Sequence, residues 1–279
     1  MLHVQNGRTA SELAQDLREL GVRDGDLLYV HTSLKQIGWL ENGPQTLIQA
    51  FQEVLGEDGT LAAPTHTLSF PGRGAPPYRA GQTPTVLGAF PEALRQYPGA
   101  LRSGHASHSS AALGRLAEFL TATHDPCHAL GENSPLFRIY RSGGRVLLLG
   151  VGQTVNTMLH LAESLAGMPY VRLPYDASWG PDTWEILPDG STVRHTQVEF
   201  PGCSEEFDRM DQLFRQHGIV RTGRVGNARA MLLEAGPMVE LTVDALQKTP
   251  WLFLCSDAAC PCCPARRAAL AGLGIQLPR

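Results

Sequence analysis

The residues best suited to catalysis lie on one predicted helix. Asn156, His160 and Glu163 occupy positions i, i+4 and i+7 of a helix that starts near Thr154, which places all three on one face. The other positions are largely apolar, so this polar stripe must face a cavity or internal partners. A carboxylate one turn away from an imidazole can hold the ring in the tautomer and orientation that a general base requires. The spacing predicts such a pair in His160 and Glu163; a hydrogen-bonded core histidine is the alternative.

Two more polar segments follow predicted strands. Residues 31–34 come directly after the apolar run Leu27 to Val30, and residues 65–67 come after Thr60 to Ala63. Ligands of parallel sheets bind beyond the carboxyl ends of the strands. A third strand, Arg145 to Leu149, leads through Gly150 and Gly152 into the helix of His160. These three segments predict one site at a common edge of the sheet.

The glycines after that third strand also suggest a dinucleotide-binding turn. Gly150 and Gly152 follow a strand and precede a helix, as the phosphate-binding fingerprint requires. Val155 stands where the third glycine of the fingerprint belongs. The sequence therefore does not favour a nicotinamide cofactor.

The segment Arg102 to Ser110 is rich in hydrogen-bond donors and precedes an amphipathic run that predicts a helix, Ser110 to His124. A helix N-terminus next to an arginine suits an anion such as phosphate. An ordinary N-cap with solvated histidines is the alternative. His105 and His108 also have the spacing of a metal pair, but no carboxylate lies nearby in the sequence to complete a site.

Four of the six cysteines lie within nine positions near the end of the chain. Cys255, Cys260 and Cys263 supply three thiolates, and Cys203 is the natural fourth ligand of a closed structural zinc site. Cys262 is an alternative ligand, because spacing does not distinguish it from its neighbours. Reduced thiols without a metal remain the other interpretation.

The elements that must position these segments alternate between strand and helix. Thr9 and Glu12 form a capping box for a first helix that ends at Gly21, and Pro44 begins a second helix. Further helices are predicted near Val86 to Tyr97 and from Ser134. This alternation predicts an α/β protein with a mostly parallel central sheet covered on both faces.

From residue 170 the pattern changes. The strands Thr183 to Leu187 and Ser191 to Phe200 predict a hairpin, and Glu205 to His217 predicts a helix. No linker long enough to separate two domains is found. We therefore expect one domain over residues 1–279, with a hairpin and helix insertion at about 170–217 and a cysteine-rich C-terminal segment at 251–279.

Composition excludes several classes of protein. The chain has 279 residues, of which 43% are hydrophobic and 18% charged, as in globular proteins and unlike disordered chains. A net charge of -4 offers no excess of cations for nucleic acid. The apolar stretches are too short to cross a membrane, and no signal-peptide core is found. We expect a soluble, cytoplasmic protein that is a monomer or a homodimer.

Several of these segments together resemble the aminoglycoside 3-N-acetyltransferase family, whose members use coenzyme A and are distinct from the GNAT acetyltransferases. The resemblance covers most of the chain. It is carried by Val30 to Leu34 with Gly38, Gly59 to Leu61 with Pro64 and Thr65, Arg102 to His105 with Ser109, Leu147 to Gly152, Asn156 to Glu163, and Gly223 to Ala228.

The resemblance implies a three-layer α/β/α fold that binds acetyl-CoA and an aminocyclitol in one cleft. It implies that His160 is the catalytic base. Acetyl-CoA is then expected against two segments, with contacts from His31, Thr32, Ser33, Leu34, Lys35, Gly38, Arg102, Ser103, His105 and Ser109.

For such a transfer, Glu163 would orient His160, and a hydroxyl or backbone N–H near Thr65 or Ser33 would stabilise the oxyanion. We include Thr65 among the catalytic residues and expect direct transfer, because no cysteine lies in these motifs. Asn156, Glu199 and Glu205 are the expected contacts to a polycationic substrate. The loop Phe70 to Tyr78 does not fit a polycationic substrate, because it carries Arg73, with Arg79 just beyond it, where an acidic residue would help.

Two other functions fit the same fold. One is an N-acetyltransferase for a different amine metabolite. The other is a coenzyme A-binding protein, stabilised by zinc, that no longer catalyses. Release of free coenzyme A with a panel of amines separates these possibilities.

Overall fold

A computed structural model describes residues 7–277 of the chain. The strands are β1 (Leu27–Thr32), β2 (Thr60–Pro64), β3 (Leu101–Arg102), β4 (Ser110–Gly114), β5 (Arg145–Leu149), β6 (Asp182–Ile186), β7 (Thr192–Thr196), β8 (Val220–Val225) and β9 (Ala228–Glu234). The helices are α1 (Ala10–Leu20), α2 (Leu34–Ile37), α3 (Pro44–Leu55), α4 (Ala89–Arg95), α5 (Ala117–Thr121), α6 (Pro135–Arg141), α7 (Thr157–Leu165), α8 (Met210–Gln216), α9 (Ala235–Lys248) and α10 (Cys263–Gly272).

Seven strands form one mixed sheet in the order β3-β4-β2-β1-β5-β9-β8. The pairs β2–β1 and β1–β5 are parallel, whereas the strands outside this trio pair in antiparallel fashion. The predicted α/β class is confirmed, but parallel pairing is confined to the three central strands. Because these three strands run in the same direction, His31, Thr65 and Gly150 leave the sheet at one edge.

Two apolar layers enclose the central strands. In β5, Leu147 and Leu149 pack with α1, α3 and α4, whereas Val146 and Leu148 pack with α6, α7 and α9. All four side chains are fully buried, which is why this strand reads as a continuous apolar run rather than an alternating one. The predicted helices on both faces of the sheet are therefore present.

Local signals located several elements correctly. The capping box of Thr9 and Glu12 starts α1, and Gly21 ends it in the left-handed conformation, with φ +104°. Ser134 caps α6, and Pro44 begins α3. The predicted hairpin forms a separate two-stranded sheet of β6 and β7.

The helix predicted from Ser110 to His124 is wrong. Ser110 begins β4, which pairs antiparallel with β2, and only the short helix α5 follows. Gly114 ends the strand at φ +117°, where an added Cβ would lie 2.3 Å from the carbonyl oxygen of Gly59. The hydrophobic periodicity of the sequence does not reveal this close approach of two backbone segments.

No helix in residues 7–277 is long and apolar enough to cross a membrane. The region predicted as one helix from Glu205 divides into a 3₁₀ turn, Phe207–Arg209, followed by α8. The last helix, α10, begins within the cysteine-rich segment and packs near residues 169–172.

We expect Gly114→Ala to lower the free energy of unfolding by about 2 kcal/mol or more, because it combines an unfavourable φ with a backbone clash. Urea denaturation followed by circular dichroism measures the change. Gly236→Ala is the matched control: this glycine lies in α9 with nothing within 4 Å of an added Cβ. Equal stability of the two variants would contradict the role assigned to Gly114.

Candidate active site

A cavity of about 580 Å³ opens at the edge of the sheet where β1, β2 and β5 end. Its volume lies in the range of small-molecule sites. The side chains from these strand ends and from α7 that line it are His31, Thr32, Pro64, His66, Val151, Thr154, Asn156, Thr157 and His160. Residues from the loops that face them are Phe70, Arg73, Ser107, His108, Tyr175, Asp176, Trp179, Glu199, Gly202, Ser204 and Phe207.

His160 and Glu163 form a hydrogen-bonded pair on α7. The His160 Nδ1 atom lies 2.6 Å from Glu163 Oε2, and the other carboxylate oxygen accepts a hydrogen bond of 3.0 Å from the hydroxyl of Tyr170. The Glu163 side chain is only 2% exposed, whereas His160 reaches the cavity. Phe207 packs edge-on against the imidazole, with ring centroids 4.7 Å apart. Both carboxylate oxygens are thus engaged, and the imidazole is held from two sides.

This arrangement favours one tautomer of the neutral imidazole. A carboxylate at Nδ1 accepts a hydrogen bond from that nitrogen, which leaves the lone pair on Nε2. Burial, together with the charge of Glu163, raises the pKa of Tyr170 well above its ordinary value, so the phenol remains a donor. The hydrogen-bonded pair that the sequence predicted is therefore present, and its role as general base and orienting group stays a prediction.

Asn156 does not lie on the helix with the other two residues. A 3₁₀ turn, Gln153–Val155, precedes α7, and Asn156 is the N-cap of that helix. Its Oδ1 accepts from the backbone N–H of Met158, and its Nδ2 donates to Gln153 Oε1 at 2.8 Å. The amide lines the cavity, and its contact with a substrate stays a prediction.

Arg102 was expected to bind an anion, but the protein itself uses its guanidinium group. The group donates to the backbone carbonyls of Thr65, Ala80 and Thr83. Its Nε also donates to the hydroxyls of Thr65 and Ser109. Arg102 therefore fastens two loops together, and its hydrogen-bonding groups do not form a fork for phosphate.

Four further predicted residues lie behind the cavity wall rather than in it. The side chains of Thr65, Ser103, His105 and Ser109 are fully buried, and none of them lines the cavity. The Thr65 and Ser109 hydroxyls bond to each other at 3.1 Å. Because Ser110 begins a strand, no helix N-terminus is present here to bind phosphate. This geometry corrects both the catalytic role of Thr65 and the coenzyme contacts expected from this segment.

The segment after β1 divides into two parts. His31 and Thr32 line the cavity, whereas Ser33, Leu34, Lys35 and Gly38 form the adjacent turn around α2. The backbone N–H of Ser33 donates to the carbonyl of Leu149 at 2.9 Å and so joins the ends of β1 and β5. Contact of this segment with coenzyme A stays a prediction.

Five histidines are buried near this edge of the sheet. Burial lowers the pKa of His31 and of His108 to about 3, and that of His124 to about 4. It also lowers the pKa of His66 and His105 well below the ordinary value. The imidazoles are therefore neutral at pH 7.

These histidines are buried rather than solvated. The His105 Nδ1 atom accepts hydrogen bonds from the backbone N–H groups of Ser107 and His108. The rings of His105 and His124 lie 4.6 Å apart, and those of His66 and His108 lie 4.5 Å apart. Within residues 7–277 no group able to hold a metal includes a histidine.

The acidic and aromatic part of the wall comes from the loops. Glu199 lines the cavity and accepts a hydrogen bond from Ser164, whereas Glu205 lies outside the wall, which corrects its expected contact. Trp179 packs near Phe70, and the guanidinium of Arg73 lies 5.4 Å from the Trp179 ring. Sequence reasoning missed Asp176, Tyr175 and Trp179, because irregular loops carry no period that points to a cavity.

Four cysteines converge beside this wall. The Sγ atoms of Cys203, Cys255, Cys260 and Cys263 lie within 4.8 Å of one another. These are the four ligands that the sequence predicts. Cys262 is not one of this group; its sulfur accepts a hydrogen bond of 3.2 Å from the backbone N–H of Cys203.

The family comparison agrees with this geometry. The model of the family described as Aminoglycoside 3-N-acetyltransferase matches residues 29–247, which include the ends of β1, β2 and β5 as well as His160 and Glu163. The chain belongs to the aminoglycoside 3-N-acetyltransferase family. The resemblance inferred from the sequence motifs is therefore confirmed, and the chain is an enzyme of this acetyltransferase family.

Relatives within the family match along most of their length. Aminoglycoside N(3)-acetyltransferase IV of Salmonella sp is 34% identical over 246 residues, which cover 88% of this chain and 89% of the relative. The crystal structure of the AAC(3)-IVa apoenzyme has a TM-score of 0.81 at 32% identity, covering 95% of this chain and 99% of its own. That enzyme has also been solved as a histidine-to-alanine mutant in complex with a gentamicin.

A second solved relative is AAC-IIIb in a binary complex with CoASH. It has a TM-score of 0.75 at 29% identity and covers 87% of this chain and 97% of its own. Agreement over nearly the whole length extends the α/β family fold beyond the segment matched by the family model.

The buried histidines predict loss of stability in acid. Unfolding exposes imidazoles that bind protons below pH 6.5, whereas the folded protein holds them neutral to about pH 4 or below. The unfolded state thus binds more protons in this range, and stability falls as the pH is lowered. Each histidine contributes up to about 1.4 kcal/mol per pH unit.

Urea denaturation at several pH values between 7 and 5 measures this slope. We expect His124→Gln to reduce it, and the exposed His217→Gln to leave it unchanged. A stability that does not vary between pH 7 and pH 5 would show that the imidazoles are not held neutral.

Proposed function

We propose that this chain transfers the acetyl group of acetyl-CoA to the 3-amino group of the 2-deoxystreptamine ring of an aminoglycoside. The observation that carries the proposal is the pair of His160 and Glu163 at the wall of the cavity, 2.6 Å apart. Membership of the family supports the reaction class, and the relative solved with CoASH supports the cosubstrate.

The chemistry begins with removal of a proton. A protonated amine has no free lone pair, so the ammonium group must first release one proton to solvent. His160 Nε2 then accepts a second proton from the neutral nitrogen as it attacks the thioester carbonyl. The C–N bond forms, the C–S bond breaks, and the leaving thiolate receives a proton from the imidazolium. Glu163 stabilises the imidazolium while it exists.

Two features of the cavity support direct transfer to a cationic acceptor. No cysteine lines it among the described residues, so a thioester intermediate on the enzyme has no nucleophile. Asp176 and Glu199 place carboxylates in the wall, where they can pair with ammonium groups. The gentamicin complex of the AAC(3)-IVa mutant supports this class of acceptor.

One observation favours a second candidate. Arg73 also lines the cavity, and it has no carboxylate partner within residues 7–277. An acceptor amine that also carries an anionic group would use this cation. The alternative function is therefore N-acetylation of such an amine metabolite by the same residues.

We also propose a structural zinc at Cys203, Cys255, Cys260 and Cys263. Thiolates are soft ligands that suit zinc, and four of them at Zn–S distances of about 2.3 Å stand roughly 3.8 Å apart. The four Sγ atoms already lie within 4.8 Å of one another, so small shifts complete a tetrahedron. Four thiolates leave no position for water, and the site would be structural. We also propose that the protein is located in the cytoplasm, where thiols stay reduced. We propose that it consists of one domain and is a monomer or a homodimer.

His160→Ala is expected to lower kcat for acetyl transfer about 100- to 10,000-fold, because it removes the base. Glu163→Gln should lower it less, because the amide keeps the contact but not the charge. Mass spectrometry of an aminoglycoside incubated with acetyl-CoA, with release of free thiol, measures the reaction. Calorimetry should show acetyl-CoA binding close to that of the parent enzyme. Undiminished turnover in His160→Ala would refute the assignment of the base.

The zinc proposal predicts about one equivalent of metal per chain in elemental analysis of the purified protein. Cys255→Ser should lose the metal and lower the melting temperature, since removal of a structural zinc removes folding energy. Cys127→Ser, outside the cluster, and Cys262→Ser should retain the metal. Metal-free protein with an unchanged melting temperature in Cys255→Ser would exclude the site.

A further inference from the structure

Three buried polar atoms in the cavity wall have no hydrogen-bond partner in the protein. They are the Nε2 atoms of His31 and His66 and the hydroxyl of Thr32. The two imidazoles are 95% and 92% buried, as their exposed fractions of 5% and 8% show. Buried polar groups nearly always have a partner. Three such atoms at the ends of the neighbouring strands β1 and β2 therefore indicate that a polar group of a ligand binds there.

The chemistry of these groups narrows the ligand. Burial keeps both imidazoles neutral at pH 7, so each offers one N–H, and the threonine offers one O–H. A phosphate would call for a cation, and an ammonium would call for a carboxylate; His31, Thr32 and His66 supply neither. Neutral donors in a site shielded from water suit a carbonyl oxygen that gains negative charge during the reaction.

The position of His66 relative to the base fits that role. The His66 ring packs against His108, with ring centroids 4.5 Å apart, and His31 and His108 line the same cavity. His66 and His160 both line the cavity. An amine that gives its proton to His160 attacks a carbonyl carbon within this space, and the carbonyl oxygen must then point to another part of the wall.

We propose that His66 Nε2–H, together with the Thr32 hydroxyl and His31, is the oxyanion site for the acetyl thioester. This inference rests on the proposed acetyl transfer. As the amine nitrogen bonds to the carbonyl carbon, the C=O electron pair moves to oxygen, which accepts hydrogen bonds from these donors. The pair then re-forms the carbonyl and expels the thiolate. Neutral imidazole acts as an electrophile of this kind in triosephosphate isomerase.

This assignment replaces the one expected from the sequence. The hydroxyl of Thr65 contacts Ser109 and Arg102 behind the cavity wall. Its neighbour His66 is the residue of this segment whose side chain is in the cavity. The strand end was located correctly, but the functional side chain is one position further along.

The test uses the full-length enzyme and acetyl-CoA labelled with ¹³C at the carbonyl. Isotope-edited infrared spectra of the bound thioester report hydrogen bonds to its carbonyl oxygen. If His66 had only a structural role, its replacement would leave the carbonyl band unchanged. In the parent enzyme we expect the carbonyl band to shift to lower frequency on binding. His66→Leu should lose that shift and lower kcat about 100- to 1,000-fold. His66→Gln, which keeps an N–H near the same place, should retain part of both.

Controls separate this role from stability and from the proposed function. His217→Leu, at an exposed histidine, should behave as the parent does. Thr32→Val should lower kcat about tenfold with a smaller loss of the infrared shift, and it carries the test if His66→Leu fails to fold. A parent-like band and kcat in folded His66→Leu, or in folded Thr32→Val, would overturn the inference. Failure of the parent enzyme to bind acetyl-CoA or to acetylate any amine would instead overturn the proposed function.

Discussion

The hydrogen bond between His160 and Glu163 is the interaction on which the rest of the site depends. A carboxylate that is 2% exposed is costly to keep charged unless it is paired and hydrogen-bonded. Here the imidazole engages one oxygen and the Tyr170 hydroxyl the other. Removing either partner would leave a buried acceptor unsatisfied, so α7, Tyr170 and the wall around Phe207 must keep their relative positions.

The sequence predicted those features that short segments determine by themselves. The capping box of α1, the buried strand β5 and the three-residue spacing of His160 and Glu163 are local patterns, and the structure contains all of them. The four converging cysteines were also predicted, because a structural zinc requires four ligands and the C-terminal cluster supplies three, with Cys203 as the fourth. The location of the site followed from the common edge of the three central strands.

What the sequence could not predict depends on partners far along the chain. Arg102 looked like an anion ligand because its carbonyl partners, Ala80 and Thr83, belong to an irregular loop. Ser110 looked like a helix start because its pairing with Pro64 is a contact between distant segments. Thr65 and His66 are adjacent, and only the course of the backbone decides which of them faces the cavity. In each case the residue type indicated the chemistry of the side chain, but the sequence did not show which way the side chain points.

The last helix of the described chain has a consequence for how the enzyme matures. Arg266 of α10 is almost fully buried; it donates to the carbonyls of Leu173 and Phe200 and lies over the ring of Tyr170. The loops that enclose this side of the cavity are thus fastened by a residue that is translated after them. Because domains fold as the chain emerges from the ribosome, the sheet and α7 can assemble early. The phenol that supports Glu163 receives its final packing only when Arg266 has been made, so a nascent chain is not a competent enzyme before α10 has been translated.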